Sequence, residues 1–403
     1  MEAKKKVLIF IPTFPAVSET FIEREISKLV ERNKADYIVY SLKKGKGYLS
    51  SNLNDKVLYK PLTVFRAVKA IPFLIKNLLR FSKLINILKE DNFGLMLKIY
   101  YVLVAYAYAH QMKILKADFI LSHFLSHPST LILLISKILD IPFGISAHAK
   151  DIFVEAELVK TKVKEAEFIL ICNKYAYQKV LELSSDIDNS NVLLKYHGID
   201  FEKLFKMPYE NIKKPEVPVI SSVGTRLTEK KGLEYLVRAS AVLKERNISH
   251  IVYLGGPGPL YKKLKKLILD LRVEDTVKIV GEGEPLDFSK VLGYYKITDI
   301  YAFPSIDLSS GDTDGIANVL AEAASFKIPI VATDAGSTLE IIQNKQTGLC
   351  VDQKDPDSLA GALGYLIKNP EIGKKLAENA YNKITRIFDL NTNVVEIEKL
   401  LNV

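Results

Sequence analysis

The chain has 403 residues, of which 48% are hydrophobic and 26% charged, and it carries a net charge of +9. That balance excludes a disordered chain, and two distant cysteines, Cys172 and Cys350, exclude a disulfide framework and a cysteine-rich metal domain. The length predicts two domains of about 200 residues, each able to bury its own core.

The basic segment Met1–Lys6 leads at once into apolar Val7–Pro12, read as a buried first strand. No long apolar region or small-residue cleavage site precedes it, so no signal peptide is expected. Thr20 to Glu23 has the spacing of a capping box, and Ile22, Ile26, Leu29 and Val30 then mark one face of a helix. Tyr37–Leu42 reads as a second strand.

Between Lys60 and Leu115 nine Lys or Arg stand against only Glu90 and Asp91, a net +7 among Leu, Ile, Phe and Tyr at helical spacing. Such a basic amphipathic stretch suits an anionic membrane surface or a phosphate-bearing lipid; the plainer alternative is a solvated face over ordinary core. No nucleic-acid-binding motif accompanies the charge, so a nucleic-acid partner is not expected. The longest apolar run, Ile99–Ala109, is too short to span a bilayer.

Short apolar strands follow at Phe119–Ser122, Phe143–Ala147, Phe168–Ile171 and Val192–Lys195, with helical patterns between them. This alternation predicts a doubly wound parallel sheet. Lys206–Pro218 holds three prolines and mixed charge and reads as a linker. A second series then starts, with strands at Val219–Val223, His250–Leu254, Val277–Val280, Ile300–Phe303 and Ile328–Ala332. Near the end, Asn391–Leu401 reads as an amphipathic helix.

Three places carry chemistry. Gly224-Thr225-Arg226-Leu227-Thr228-Glu229-Lys230-Lys231-Gly232 follows a strand and opens a helix, so Arg226 and Lys231 can converge on one anion. Ile316–Phe326 reads as a helix of small and apolar residues with one charge, Glu322, which is costly to bury without hydrogen bonds. The preceding Asp314-Gly315 places an acid and free backbone N–H groups at the start of that helix. His148, in Ile145-Ser146-Ala147-His148-Ala149-Lys150-Asp151, follows a strand and reads equally as a structural histidine. Ser305 and Asp334 lie on neighbouring loops as possible wall residues. His123 and His127 have the i,i+4 spacing of a metal pair, but no third ligand is in register, so no metal is expected there. Asp312-Thr313-Asp314 imitates an Asp-x-Asp metal motif and is read as coincidence.

Asp314-Gly315-Ile316-Ala317-Asn318-Val319-Leu320-Ala321-Glu322-Ala323 resembles the E-x7-E signature of the retaining glycosyltransferases of family 4, with Asp314 for the first Glu and Ala317 for the usual Pro. Phe14 to Glu25 and His123-Phe124-Leu125-Ser126-His127 resemble the subgroup that builds exopolysaccharide and colanic-acid-type chains. The resemblance implies an α/β GT-B fold: two doubly wound Rossmann-like domains facing a central cleft. The N-terminal acceptor-side domain would be 1–205, with helix 386–403 packed back on it; 206–218 would be the linker and 219–385 the nucleotide-sugar-binding domain. It further implies a hexosyl transfer with retention, without metal or cofactor, from a nucleotide-sugar (UDP ahead of GDP). The acceptor would be a glycan or, as the basic Lys60–Leu115 segment suggests, a lipid-diphosphate-linked glycan, and the protein would be cytoplasmic, peripheral on the inner face of the cell membrane. Domain closure would exclude water.

By the same resemblance Arg226 and Lys231 hold the donor diphosphate, with Gly224 opening their loop, and Glu322 binds the ribose hydroxyls. Asp314 contacts the donor sugar, and the backbone from Ile316 through Asn318 to Val319 touches the phosphates. His148 lies beside the reacting centre. Gly255-Gly256-Pro257-Gly258-Pro259-Leu260 resembles the loop lining the nucleotide side. The rival expectations are an epimerase of the same fold, which would need acid/base residues that are not evident, a non-catalytic partner subunit, and a basic nucleic-acid binder.

Overall fold

The computed structural model describes residues 4–16, 19–91, 93–153, 156–313 and 318–403, without the side chains of 149 and 150. Asp314 and Ile316 therefore lie outside the described residues. The chain forms two compact units, one of residues 1–200 with 390–403 and one of residues 201–389.

The first unit is built on a parallel sheet of β1 (Lys6–Phe14), β2 (Asp36–Lys44), β3 (Val57–Tyr59), β4 (Phe119–His123), β5 (Phe143–Ala147), β6 (Ile169–Ile171) and β7 (Val192–Leu194), in the order β3-β2-β1-β4-β5-β6-β7. The alternation of β1 divides its side chains between two cores. Leu8 and Phe10 pack under the helices Leu95–Met112 and His127–Leu139, while Val7, Ile9 and Ile11 pack with the helix Thr20–Arg32 and the C-terminal helix Leu390–Leu400. Arg32 holds that last helix with a two-pronged ion pair to Glu398, at 2.9 Å from Nε to Oε1.

The capping box expected at Thr20 is not formed. Thr20 is already the first helical residue, Glu19 precedes it without a capping side chain, and the Glu23 carboxylate accepts from the Ser50 amide at 2.9 Å. The acid holds the loop after β2 in place of its own helix start.

The second unit repeats the plan with β8 (Val219–Val223), β9 (Ile251–Gly255), β10 (Val277–Val280), β11 (Ile300–Phe303), β12 (Ile330–Thr333) and β13 (Leu349–Val351), in the order β10-β9-β8-β11-β12-β13. Residues 206–218, read as a linker, join this unit: the Glu210 amide donates to the Ser289 carbonyl at 2.9 Å, and Lys214 pairs with Asp299 at 2.6 Å.

The glycines after β9 are explained by packing. Gly256, at φ 147°, would set a Cβ 1.7 Å from the Thr225 carbonyl oxygen, and Gly258, at φ 157°, one 2.4 Å from that of Leu227. The two loops lie backbone to backbone, joined by Leu227 N to Pro257 O at 2.8 Å and Leu260 N to Leu227 O at 3.1 Å. Gly256→Ala is therefore expected to destabilise the protein by about 3 kcal/mol or more, through backbone strain and displacement of the 224–228 loop. Gly361→Ala, in the helix Pro356–Lys368 with no atom within 4 Å of the new Cβ, is expected to be neutral or slightly stabilising. Urea unfolding of the two variants checks the contrast; equal midpoints would remove the packing account.

Candidate active site

In the second unit the loops at the carboxyl ends of β8, β11 and β12 gather the residues singled out in the sequence. Doubly wound sheets bind ligands at such strand ends. Gly224, at φ 86°, follows β8; its amide donates to the Gly255 carbonyl at 3.0 Å, and a Cβ there would lie 3.0 Å from the Tyr295 hydroxyl. Arg226 is exposed, whereas Lys231 is 9% exposed with its Nζ 4.9 Å from the centre of the Phe303 ring. The two cations thus occupy different environments on one loop. Lys231 ends a short turn closed by Gly232 at φ 58°, where a Cβ would fall 1.9 Å from the Pro304 carbonyl oxygen. Lys230 ties the same turn to Asp312 at 2.9 Å, which gives Asp312 a structural task.

Glu322 lies on the helix Asn318–Ser325 and is 8% exposed. It accepts a hydrogen bond from the Tyr295 hydroxyl at 3.2 Å. Burial, with the nearby Glu322 carboxylate, pushes the Tyr295 phenol well up, so it remains a donor. Tyr301, also pushed up by burial, donates to the Val223 carbonyl at 3.0 Å. Tyr295 links Gly224 to Glu322 and has no signal in the sequence, because a tyrosine in an apolar helix reads as core. Val319 lies at the start of that helix beside Gly224, its side chain 3.6 Å from where a Cβ on that glycine would stand, with Asn318 half-buried before it. Three buried hydroxyls on these strand ends, Thr225, Ser305 and Ser337, have no hydrogen-bond partner among the described residues. Orphaned polar atoms of this kind are expected where a polar ligand binds. Asp334 accepts from Gln353, which also bridges to Asp307.

In the first unit His148 follows β5 and is 7% exposed. Its amide donates to the buried Asp151 carboxylate at 2.9 Å, and the same carboxylate takes the Leu125 amide from the loop after β4. Lys162, fully buried, caps the Leu125 and Ser126 carbonyls. Burial pushes Asp151 up and Lys162 down. Between them they fix the backbone on both sides of His123 and His148. Phe124, at φ 73°, is a strained residue in this loop, held by its amide on the Ser146 carbonyl at 2.8 Å, with its ring edge against His148.

His148 is not isolated. Its Nε2 lies 3.3 Å from His123 Nδ1 and its Nδ1 3.1 Å from His197 Nε2. Burial holds all three rings well below the usual histidine range, so they are neutral at neutral pH. Phe21 stacks on His197 with ring centres 4.0 Å apart. His127, by contrast, turns away to Glu157 at 2.9 Å. His123 ends a strand and His127 begins a helix, so their spacing in sequence does not make them neighbours on one helix face.

Residues 206–383 match the family described as Glycosyl transferases group 1. The chain is 30% identical over 166 residues, 41% of its length, to the putative colanic acid biosynthesis glycosyltransferase WcaL of Escherichia coli (strain K12), where the match covers 39% of that protein. It is 28% identical over 197 residues to the amylovoran biosynthesis glycosyltransferase AmsK of Erwinia amylovora, 49% of this chain and 46% of the other. The match thus spans less than half the length of these curated relatives. Among solved structures, a glycosyltransferase from Rickettsia africae ESF-5 superposes with a TM-score of 0.70 at 18% identity, covering 99% of both chains. Anabaena Alr3699/HepE in complex with UDP and glucose does so with a TM-score of 0.66 at 15% identity, again over 99% of both. The chain accordingly has the GT-B fold, and its match to the group 1 glycosyltransferases lies in residues 206–383, within the second unit.

Proposed function

We propose that this protein is a retaining glycosyltransferase of family 4 that moves a hexose from a nucleotide-sugar, UDP-linked ahead of GDP-linked, to a glycan or lipid-diphosphate-linked glycan in cell-surface polysaccharide synthesis. The observation that carries the reading is the joining of Gly224, Tyr295 and buried Glu322 at the strand ends of the second unit. Glu322 accepts the ribose hydroxyls, its second partner Tyr295 fixing the carboxylate in place. Arg226 and Lys231 meet the diphosphate, and negative charge developing on the leaving group falls to them and to the backbone from Ile316 through Asn318 to Val319. Asp314 takes the donor-sugar hydroxyls. His148 positions sugar and acceptor. Attack and departure take place on one face, with the donor phosphate assisting removal of the acceptor proton, and no metal or cofactor takes part.

The chemistry of the first unit's surface supports a peripheral place on the inner face of the cell membrane. No helix among the described residues is long and apolar enough to cross a membrane. Yet the helices Val64–Lys69 and Ile71–Lys76 and the start of Leu95–Met112 expose large apolar side chains among lysines.

Calorimetry with UDP- and GDP-sugars on wild type and Glu322→Ala tests the donor site. Binding of one nucleotide class, weakened at least about tenfold by the substitution, is expected, since removing a charged hydrogen-bonding partner costs about 1.5–3 kcal/mol. Folded protein that binds neither class would instead favour a non-catalytic partner subunit.

A further inference from the structure

Four neighbouring strands of the first sheet each deliver one residue to the same end. β4 ends at His123, β5 is followed by His148, β6 by Cys172, and His197 comes three residues after β7. Because the strands are parallel and adjacent in the order β4-β5-β6-β7, residues up to 74 positions apart in sequence become neighbours. Three of the chain's six histidines meet here with one of its two cysteines.

The atoms form a ligand set. One donor atom from each of His148, Cys172 and His197 lies within 4.8 Å of the other two, and His148 Nδ1 and His197 Nε2 are 3.1 Å apart. Zinc bonds of about 2.0–2.1 Å to nitrogen and about 2.3 Å to sulfur place tetrahedral ligand atoms roughly 3.5 Å apart, so small side-chain adjustments close the site. The surroundings supply what a metal site needs beyond its ligands. His148 Nε2 faces His123 Nδ1 at 3.3 Å, so a proton on Nε2 leaves the Nδ1 lone pair for the ion and fixes the ring through a hydrogen bond. Phe21 stacks on His197, Phe124 packs edge-on against His148, and His148 and Cys172 are 7% and 8% exposed. The His197 segment is anchored by Lys195 and Tyr196, both bonded to Asn393 of the C-terminal helix at 2.9 Å. The Asp151 carboxylate, three residues after His148, is occupied by the Leu125 and His148 amides. A nitrogen and sulfur donor set without carboxylate selects a thiophilic d10 ion over magnesium or manganese.

We propose that His148, Cys172 and His197 bind one zinc ion, with His123 as the outer partner that orients His148 and a fourth coordination position left open. On binding, the Cys172 thiol proton leaves to solvent. The proton between the two histidines is re-sited, so that His148 carries its proton on Nε2 and His197 on Nδ1. The ion takes no part in the transfer described above. It would compete with substrate for His148 Nδ1, a consequence that rests on that functional reading, whereas binding itself does not.

The test uses the full chain with Cys350→Ser, which removes the second thiol, on β13 of the other unit. Titration with Co2+ is expected to give one equivalent of tetrahedral d–d absorption with a thiolate-to-cobalt charge-transfer band, displaced by Zn2+. Adding Cys172→Ser, nearly isosteric, removes the charge-transfer band and weakens Zn2+ by more than about a hundredfold; His123→Asn weakens it by about 10–100-fold and keeps the band. Unchanged circular dichroism without metal shows that these variants are folded. No stoichiometric binding, or binding untouched by Cys172→Ser, overturns the proposal, and either result is independent of whether nucleotide-sugars bind.

Discussion

Lys231→Ala is expected to lower kcat/KM for sugar transfer by about a hundred- to a thousandfold, and Arg226→Ala by no more than about tenfold. Both residues sit on the loop after β8, and the difference follows from their surroundings. Lys231 is almost wholly buried over the Phe303 ring, on a turn whose last residue, Gly232, allows the Pro304 carbonyl to come where a Cβ would be. Its ammonium is therefore held in place, largely out of water, before substrate arrives. A fixed charge of that kind stabilises developing negative charge without the cost of reorganising solvent, and its Coulomb interaction is weakly screened. Arg226 is exposed, where water and salt screen it and where its side chain loses rotamer freedom on binding. Steady-state kinetics with the donor identified by calorimetry checks the order. A lower kcat at unchanged KM for Lys231→Ala places the interaction in the transition state. Activity of Lys231→Ala within threefold of wild type, or a greater loss at Arg226, would sink the assignment.

The strands were legible because parallel strands covered on both faces are continuous apolar runs; Val7–Pro12 lies inside β1 (Lys6–Phe14), and Val219–Val223 matches β8. β3 and β13 were missed: three residues carry few positions to show a pattern, and of the edge strands this short only β7 was read, as Val192–Lys195. Thr20 to Glu23 had the right letters for a capping box, but tertiary demand on Glu23 from the Ser50 amide took precedence. In the second unit, the loop and helix carrying Lys231 and Glu322 were visible as local motifs, while Tyr295 was not. Its role comes from a hydroxyl reaching another helix, which no local period records. The histidine cluster shows the same limit more sharply. His123 and His127 share a helix-like spacing in sequence, whereas the neighbour of His123 is His148, and His197 and Cys172 join them only because β6 and β7 follow β5 in the sheet. Contacts made across strand order are invisible to patterns read along the chain.

Leu79→Ser together with Met96→Ser is expected to weaken binding to vesicles of anionic lipid by roughly a hundredfold or more. Leu79 is 93% and Met96 86% exposed, and around them Val64, Phe65, Ile75, Leu78 and Leu95 are each more than half exposed. Large apolar side chains exposed together on helices that pack on one another are costly unless something covers them. Burying a Leu or Met contributes about 1.5–3 kcal/mol, so even partial insertion of two such residues accounts for the expected loss. What covers the patch is indicated by its charge. Lys76, Lys83 and Lys98 lie among these residues and make no ion pair among the described residues, and each lysine near an anionic surface adds about 1 kcal/mol. The two contributions separate experimentally. Lys76→Glu with Lys83→Glu should abolish the preference for anionic over neutral vesicles and the salt dependence of binding, while the serine variant weakens binding at every salt concentration. Co-sedimentation of wild type and both variants gives the answer. A wild-type chain that ignores anionic vesicles at low salt, or that instead dimerises through this face in sedimentation equilibrium, would show that the patch belongs to another protein surface and not to lipid.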